Sequence, residues 1–166
     1  MRRVAIILAG AALVALLLWP GPWLVCSDVA SGKPVARVPL SWDEKFKICY
    51  MHSVDIKPVC EIFSLKKEHG VFLEEMYFVM FGAGMGHWEG HGQVIGDGEW
   101  TWIKEIEKPV GNFLSRVGSR GVDHKLITGE MEVNLTDLAE GKLLDVHMEM
   151  RPAVFSLISK LRLSYD

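Results

Sequence analysis

The sequence predicts an all-β fold: an antiparallel sandwich or barrel-like extracytoplasmic domain preceded by one N-terminal transmembrane helix. Three observations predict it. Residues 4–26 form an uncharged, mostly apolar stretch behind Arg2 and Arg3. After it, short runs with period-two alternation recur at even spacing, divided by glycine, proline and polar turns. The βαβ alternation that would build a parallel sheet is absent from the pattern.

Taken in order, residues 1–26 read as an anchor, with a signal sequence as the rival. As helix, at about 1.5 Å per residue, the apolar stretch is long enough for a bilayer core of about 30 Å. Arg2 and Arg3 would stay on the cytoplasmic side, as in a single-pass protein of the bacterial inner membrane with its C-terminal domain in the periplasm. A cleaved signal would need small residues after the apolar core. Trp19, Pro20, Gly21, Pro22, Trp23 and Leu24 stand there instead. Val25 is too large to precede a lipoprotein cysteine at Cys26. Trp19 and Trp23 suit a membrane interface, and Pro20 and Pro22 would end the helix.

The rest of the 166 residues is enough for one domain with a real core. Net charge is −3, with 21 acidic against 18 basic residues, and no basic stripe or reader motif points to nucleic acid. Residues 27–41 read as a linker and first strand, 42–151 as the β domain and 152–166 as an amphipathic C-terminal tail.

Within the β domain, Phe46, Ile48 and Tyr50 alternate with Lys47, Cys49 and Met51. Val59–Lys66 is a second run and Phe72–Phe81 a third, the two joined by a turn at Glu68-His69-Gly70. Glu74 and Glu75 would fall on opposite faces, so one of them needs solvent or a partner. Residues 82–98 carry seven glycines and read as a loop or tight turns. Trp100–Glu107, Phe113–Val117, Lys125–Thr128, Glu130–Leu135 and Leu143–Met150 complete the strands. Thr136–Glu140 hints at a helical turn. Pro152 suits the first turn of a helix over 152–161.

A tight hairpin turning at Val54 and Asp55 would set Cys49 opposite Cys60. Cross-strand Cβ atoms about 4.5–5.5 Å apart are slightly wide for a disulfide, so two small buried hydrophobes are the reading preferred over a bond. The same hairpin would put Tyr50, His52 and Glu61 on one face. A histidine beside a carboxylate can serve as general base, with Ser53 as nucleophile. In a strand, however, Ser53 points to the other face from His52. No nucleophile elbow or third orienting residue accompanies them, so a structural role in holding the hairpin outweighs catalysis.

His87, Glu89 and His91 offer metal-ligand types. The glutamate is misplaced for the zinc-protease helix motif and glycines flank the segment, so loop histidines outweigh a zinc site. No cofactor is expected. Gly82 and Gly84 lack the lysine and helix start of a phosphate loop. His124 and His147 read as surface or satisfied edge residues. Trp88, Trp100 and Trp102 read as core ahead of a binding surface.

The set Phe46, Ile48, Tyr50, His52-Ser53-Val54, Pro58-Val59 and Glu61, then Phe81-Gly82-Ala83-Gly84, Val117-Gly118, His124, Leu126 and Gly129, and finally Leu135, Leu138 and Gly141 carries a resemblance. It resembles a bacterial domain-of-unknown-function family encoded beside TAXI-type TRAP transporters, over most of residues 42–150. The strongest part is the Tyr-x-His-Ser-Val block with Pro-Val-x-Glu after it. The histidine- and tryptophan-rich segment 87–102 and the apolar tail depart from it.

The resemblance implies a role beside a transporter and carries no catalytic residue with it; the preferred reading is an accessory subunit that is not an enzyme. Its partners would be the membrane subunit of a TRAP transporter for small organic anions and the TAXI solute-binding protein. Tyr50, His52, Ser53, Pro58, Glu61, Gly82 and Gly84 are the interaction candidates it supplies. An anchored periplasmic small-molecule-binding module, or an enzyme using His52 and Glu61, is the alternative.

Overall fold

The computed structural model describes residues 2–53, 56–79, 92–96, 98–129 and 131–155. The chain is predominantly β and antiparallel, and the described residues form no closed barrel. Helix α1 (Arg2–Leu18) leads into β1 (Pro20–Asp28), β2 (Pro34–Pro39), β3 (Lys45–Met51), β4 (Pro58–Lys66) and β5 (Gly70–Phe78). Then come β6 (Gln93–Gly96), β7 (Thr101–Lys104), β8 (Lys108–Pro109), β9 (Phe113–Arg116), β10 (Lys125–Ile127), β11 (Glu132–Asn134), α2 (Leu135–Ala139) and β12 (Leu143–Pro152).

The described strands form two sheets. One has the order β2-β1-β12-β9, and the other β11-β10-β3-β4-β5-β7-β6 with β8 paired to β5. Their inner faces share a single core, because alternation places Leu24, Cys26, Val38, Leu144 and Val146 of the first sheet against Phe46, Ile48, Phe63, Leu73 and Leu126 of the second. Phe113 of β9 stacks on Phe63 of β4 across the sheets, with centroids 5.2 Å apart, and Phe63 stacks in turn on Phe46 at 5.4 Å.

The largest departure from the sequence reading lies at the N-terminus. Pro20–Cys26, assigned there to the anchor, belong to β1, so the boundary expected at residue 26 moves back to Trp19. Trp23, expected at a membrane interface, is 4% exposed, and Leu24, Val25 and Cys26 are fully buried. β1 pairs with β12 from Pro20↔Pro152 to Asp28↔Leu144 and with β2 on its other side. β12 lies far away in sequence, which is why a local reading extends the apolar run through β1. Among the described residues no helix is long and apolar enough to cross a membrane.

Smaller differences have local causes. The segment expected as one strand over Trp100–Glu107 stops at Lys104, because Glu105 (φ 58°) and Glu107 (φ 46°) take left-handed backbone and tuck Ile106 into the core. Part of the glycine-rich segment read as loop, Gln93–Gly96, is strand β6 against β7. A bulge at Ile62/Phe63 makes Glu74 the extra residue of β5. Both acids then find partners: Glu74 takes the Ser64 hydroxyl at 2.6 Å, and Glu75 pairs with Lys45 at 2.6 Å. Pro152, expected to open a helix, is the last residue of β12, and a helical turn starts only at 153–155. The rest of the expected tail helix lies outside the described residues.

Candidate functional site

The β3–β4 hairpin has the register expected of it, with Cys49 opposite Cys60, Tyr50 opposite Val59 and Ile48 opposite Glu61. The turn residues Val54 and Asp55 lie outside the described residues. Cys49 and Cys60 are joined by a disulfide, with their Cα atoms 4.1 Å apart. This corrects the preference for two free buried hydrophobes. At this close-facing register the backbones come nearer than the average cross-strand spacing on which that preference rested. Cys26 stays a free thiol in the core, where burial, and then the charge of Asp145, pushes its pKa up to about 12. It is therefore inert as a nucleophile.

Tyr50 and Glu61 point to the core side of the hairpin, as neighbours on adjacent strands. Burial raises the carboxyl pKa of Glu61 above its usual range. Burial, and then the charge of Glu61, raises that of the Tyr50 hydroxyl. The imidazole of His124 lies against Tyr50. The Tyr50 and His124 rings stack with centroids 5.1 Å apart and planes 13° from parallel.

His124 is held from three directions. The backbone N–H of Gly118 donates to its Nδ1 at 3.0 Å. Its own N–H donates to the hydroxyl of Thr136 at 2.9 Å, and its carbonyl accepts from the N–H of Leu135 at 2.8 Å. Asn134 caps α2 by accepting from Thr136 and Asp137, which fixes Thr136 in place. An Nδ1 that accepts from an amide must carry its proton on Nε2, so this imidazole is neutral. Burial lowers the His124 pKa in the same direction.

Gly118 makes the approach possible. A Cβ at that position would lie 2.7 Å from Val122 Cγ1 and 3.2 Å from His124 Nδ1. The same loop closes over the end of β3 through the N–H of Met51, which donates to the carbonyl of Val122 at 2.6 Å.

The remaining expected residues fall as follows. His52 lies just past β3, where its N–H donates to the Lys57 carbonyl at 2.9 Å and its carbonyl accepts from the Ile56 N–H at 3.0 Å. Ser53 is exposed in the turn, and Pro58 opens β4. Gly82, Gly84, His87, Glu89, His91 and Trp88 lie outside the described residues. Trp100 and Trp102 are not core residues. They gather around Tyr77 on the outer face of the larger sheet, at 5.5 and 4.5 Å. His147 is held between Asp145 (3.0 Å) and Glu149 (3.3 Å) on the outer face of the smaller sheet. Among the described residues no group of histidine, cysteine and acidic side chains could hold a metal. A groove of about 410 Å³ runs along the hairpin, bordered by Tyr50, Met51, Pro58 and Tyr77 with the disulfide in its wall.

The sequence profile of a family described as a domain of unknown function (DUF1850) matches residues 46–135, more than half of the chain. The chain belongs to that family. The match begins in β3 and ends at the first residue of α2. It therefore contains every residue of the Tyr50–Glu61–His124 cluster together with Gly118 and the disulfide, while β1, β2 and β12 lie outside it. No curated protein and no solved structure matches the chain.

The DUF1850 segment thus brings together a tyrosine, a carboxyl group and an imidazole whose surroundings each favour the uncharged form. Such a set offers hydrogen-bond donors and acceptors. It lacks the arrangement of an activated nucleophile, since Ser53 is in the turn and the disulfide ties up both cysteines of the hairpin. Sequence reasoning found Tyr50 and Glu61 but set His124 aside. Its role depends on a loop that returns to β3 from more than 70 residues away.

Proposed function

We propose that this protein is a membrane-anchored extracytoplasmic accessory domain that acts by contact with other proteins and breaks no bonds itself. The observation that carries this reading is α1. Its apolar side chains are exposed along its length, with Ile6 at 71% and Leu16 at 68%, although the β domain beside it is well packed. An apolar helix of this kind is stable only where lipid or another apolar surface covers it. The disulfide supports a place outside the reducing cytoplasm. Arg2 and Arg3 support a cytoplasmic N-terminus, as in a bacterial inner-membrane protein. Ala9, Gly10, Ala11, Ala12 and Ala15 would let a neighbouring helix pack closely.

The partner is the membrane subunit of a TAXI-type TRAP transporter for small organic anions, with its solute-binding protein as a second contact. Support for this partner comes from the family pattern noted in the sequence, centred on Tyr50, His52, Ser53, Pro58 and Glu61. Affinity purification of the full chain from native membranes in mild detergent should bring the transporter subunit with it. Recovery of the chain alone, with transport unchanged in a strain lacking it, would sink the proposal.

One observation favours a second reading, a module that binds a small molecule. The groove at the hairpin falls within the size range of ligand sites, about 300–1,000 Å³. A thermal-shift screen of carboxylates against the protein separates the two readings, since the accessory reading predicts no shift.

A further inference from the structure

We propose that the end of the β domain next to α1 is seated in the headgroup layer of the membrane, where Arg151 binds a lipid phosphate. This inference rests on the anchoring reading above. The 17 residues of α1 rise about 25 Å, against a hydrocarbon core of about 30 Å. A helix short by about 5 Å draws its flanking groups toward the bilayer or thins it locally. Only Trp19 separates α1 from β1, and β1 is paired to β12 from its first residue. No spacer lets the domain stand away from the membrane.

The end of β12 emerges at the same place. Pro20 pairs with Pro152, and the N–H of Ala153 donates to the carbonyl of Trp19 at 3.0 Å. This end presents the groups that an interface favours. Trp19 is 71% and Phe155 44% exposed. The Arg151 guanidinium lies 5.3 Å from the Trp23 ring and 5.2 Å from the Phe155 ring. Among the described residues it forms no ion pair, so stacked on aromatic faces it keeps its N–H edge available for an oxyanion. The exposed aromatics and the adjoining apolar helix select a phosphate carried by lipid over one free in solution.

The test uses the full chain in phosphatidylcholine vesicles and in vesicles of a galactolipid without phosphate. A fluorophore is attached at Ser41→Cys or Lys33→Cys; the other cysteines do not compete, because Cys26 is buried and Cys49 and Cys60 are bonded. Ser41 is exposed beside Gly21 and Ala153, whereas Lys33 lies in the turn at the far end of β1. Co-flotation with vesicles reads the anchor, and its absence would overturn anchoring and this inference together. With co-flotation intact, the label at 41 should be quenched by aqueous iodide several-fold more slowly than the label at 33. Equal rates would overturn the headgroup seat and leave the anchor standing. Arg151→Ala should speed quenching at 41 in phosphatidylcholine but not in galactolipid, and Arg151→Lys should restore most of the protection. An Arg151→Ala protein protected as well as the parent in phosphatidylcholine would overturn the phosphate contact.

Discussion

Gly118 is small because His124 needs the space. Its amide reaches the imidazole only while nothing fills the gap between Val122 and Nδ1. Gly118→Ala should cost about 1–3 kcal/mol in chemical denaturation and disturb the Tyr50–His124 stack, seen as changed tyrosine near-ultraviolet dichroism. Glu61 and His124, both partly buried, pull in opposite directions with pH. The folded pKa of Glu61 lies above its ordinary 4.5, so stability falls as pH rises from there through the folded value. Glu61→Gln removes that loss, and its melting temperature should gain on the parent as pH rises from 4.5 toward neutrality. The folded pKa of His124 lies below 6.5, so its contribution is complete above 6.5 and is lost as pH falls through the folded value. His124→Gln should therefore show its largest deficit at neutral pH, narrowing in acid. Tyr50 and Glu61 were legible in the sequence because strand alternation places them on one face. His124 was not, because imidazole burial depends on a loop whose path no local pattern encodes.

Among elements, the β3–β4 hairpin is the best anticipated and the most constrained. Alternation in Phe46–Met51 and the strand-forming run after Val59 located both strands, and counting back from the turn gave the register. The bond between Cys49 and Cys60 escaped because average strand spacing hides the closer approach of non-hydrogen-bonded pairs. It closes a loop of sequence separation 11, for which chain entropy gives about 3 kcal/mol. Replacing both cysteines by alanine should lower unfolding stability by about that amount in urea titration, with far-ultraviolet dichroism of the folded state unchanged. β6 and β7 were harder to read. Glycine composition hides a four-residue strand in β6, and the left-handed residues Glu105 and Glu107 interrupt an alternation that looks continuous in letters.

For the whole molecule, the decisive strand is the one the sequence hides best. The uncharged run over residues 4–26 carries no charge to mark a boundary, and the two sides of its Trp19-Pro20-Gly21-Pro22-Trp23 segment meet opposite fates. Leu8, Leu13 and Leu16 are exposed on α1, whereas Leu24, Val25 and Cys26 fill the domain. The pairing of β1 with its neighbour β2 and with the distant β12 tells them apart. That pairing bears directly on where the chain can be cut. A protein beginning at Ser27 loses the strand that joins both neighbours in its sheet and leaves Val38, Leu144 and Val146 without their partner row. Each core side chain so removed forfeits about 2–5 kcal/mol, and three of them together are comparable to the whole stability of an ordinary domain, about 5–15 kcal/mol. A chain beginning at Trp19 keeps β1 whole and lacks only the exposed helix. Expressed under oxidising conditions, the shorter protein should be insoluble or lack a cooperative melting transition, while the Trp19 protein should melt cooperatively without detergent. A folded, cooperative protein beginning at Ser27 would show that the β domain closes without its second central strand, and the assignment of Pro20–Asp28 to the sheet would fail with it.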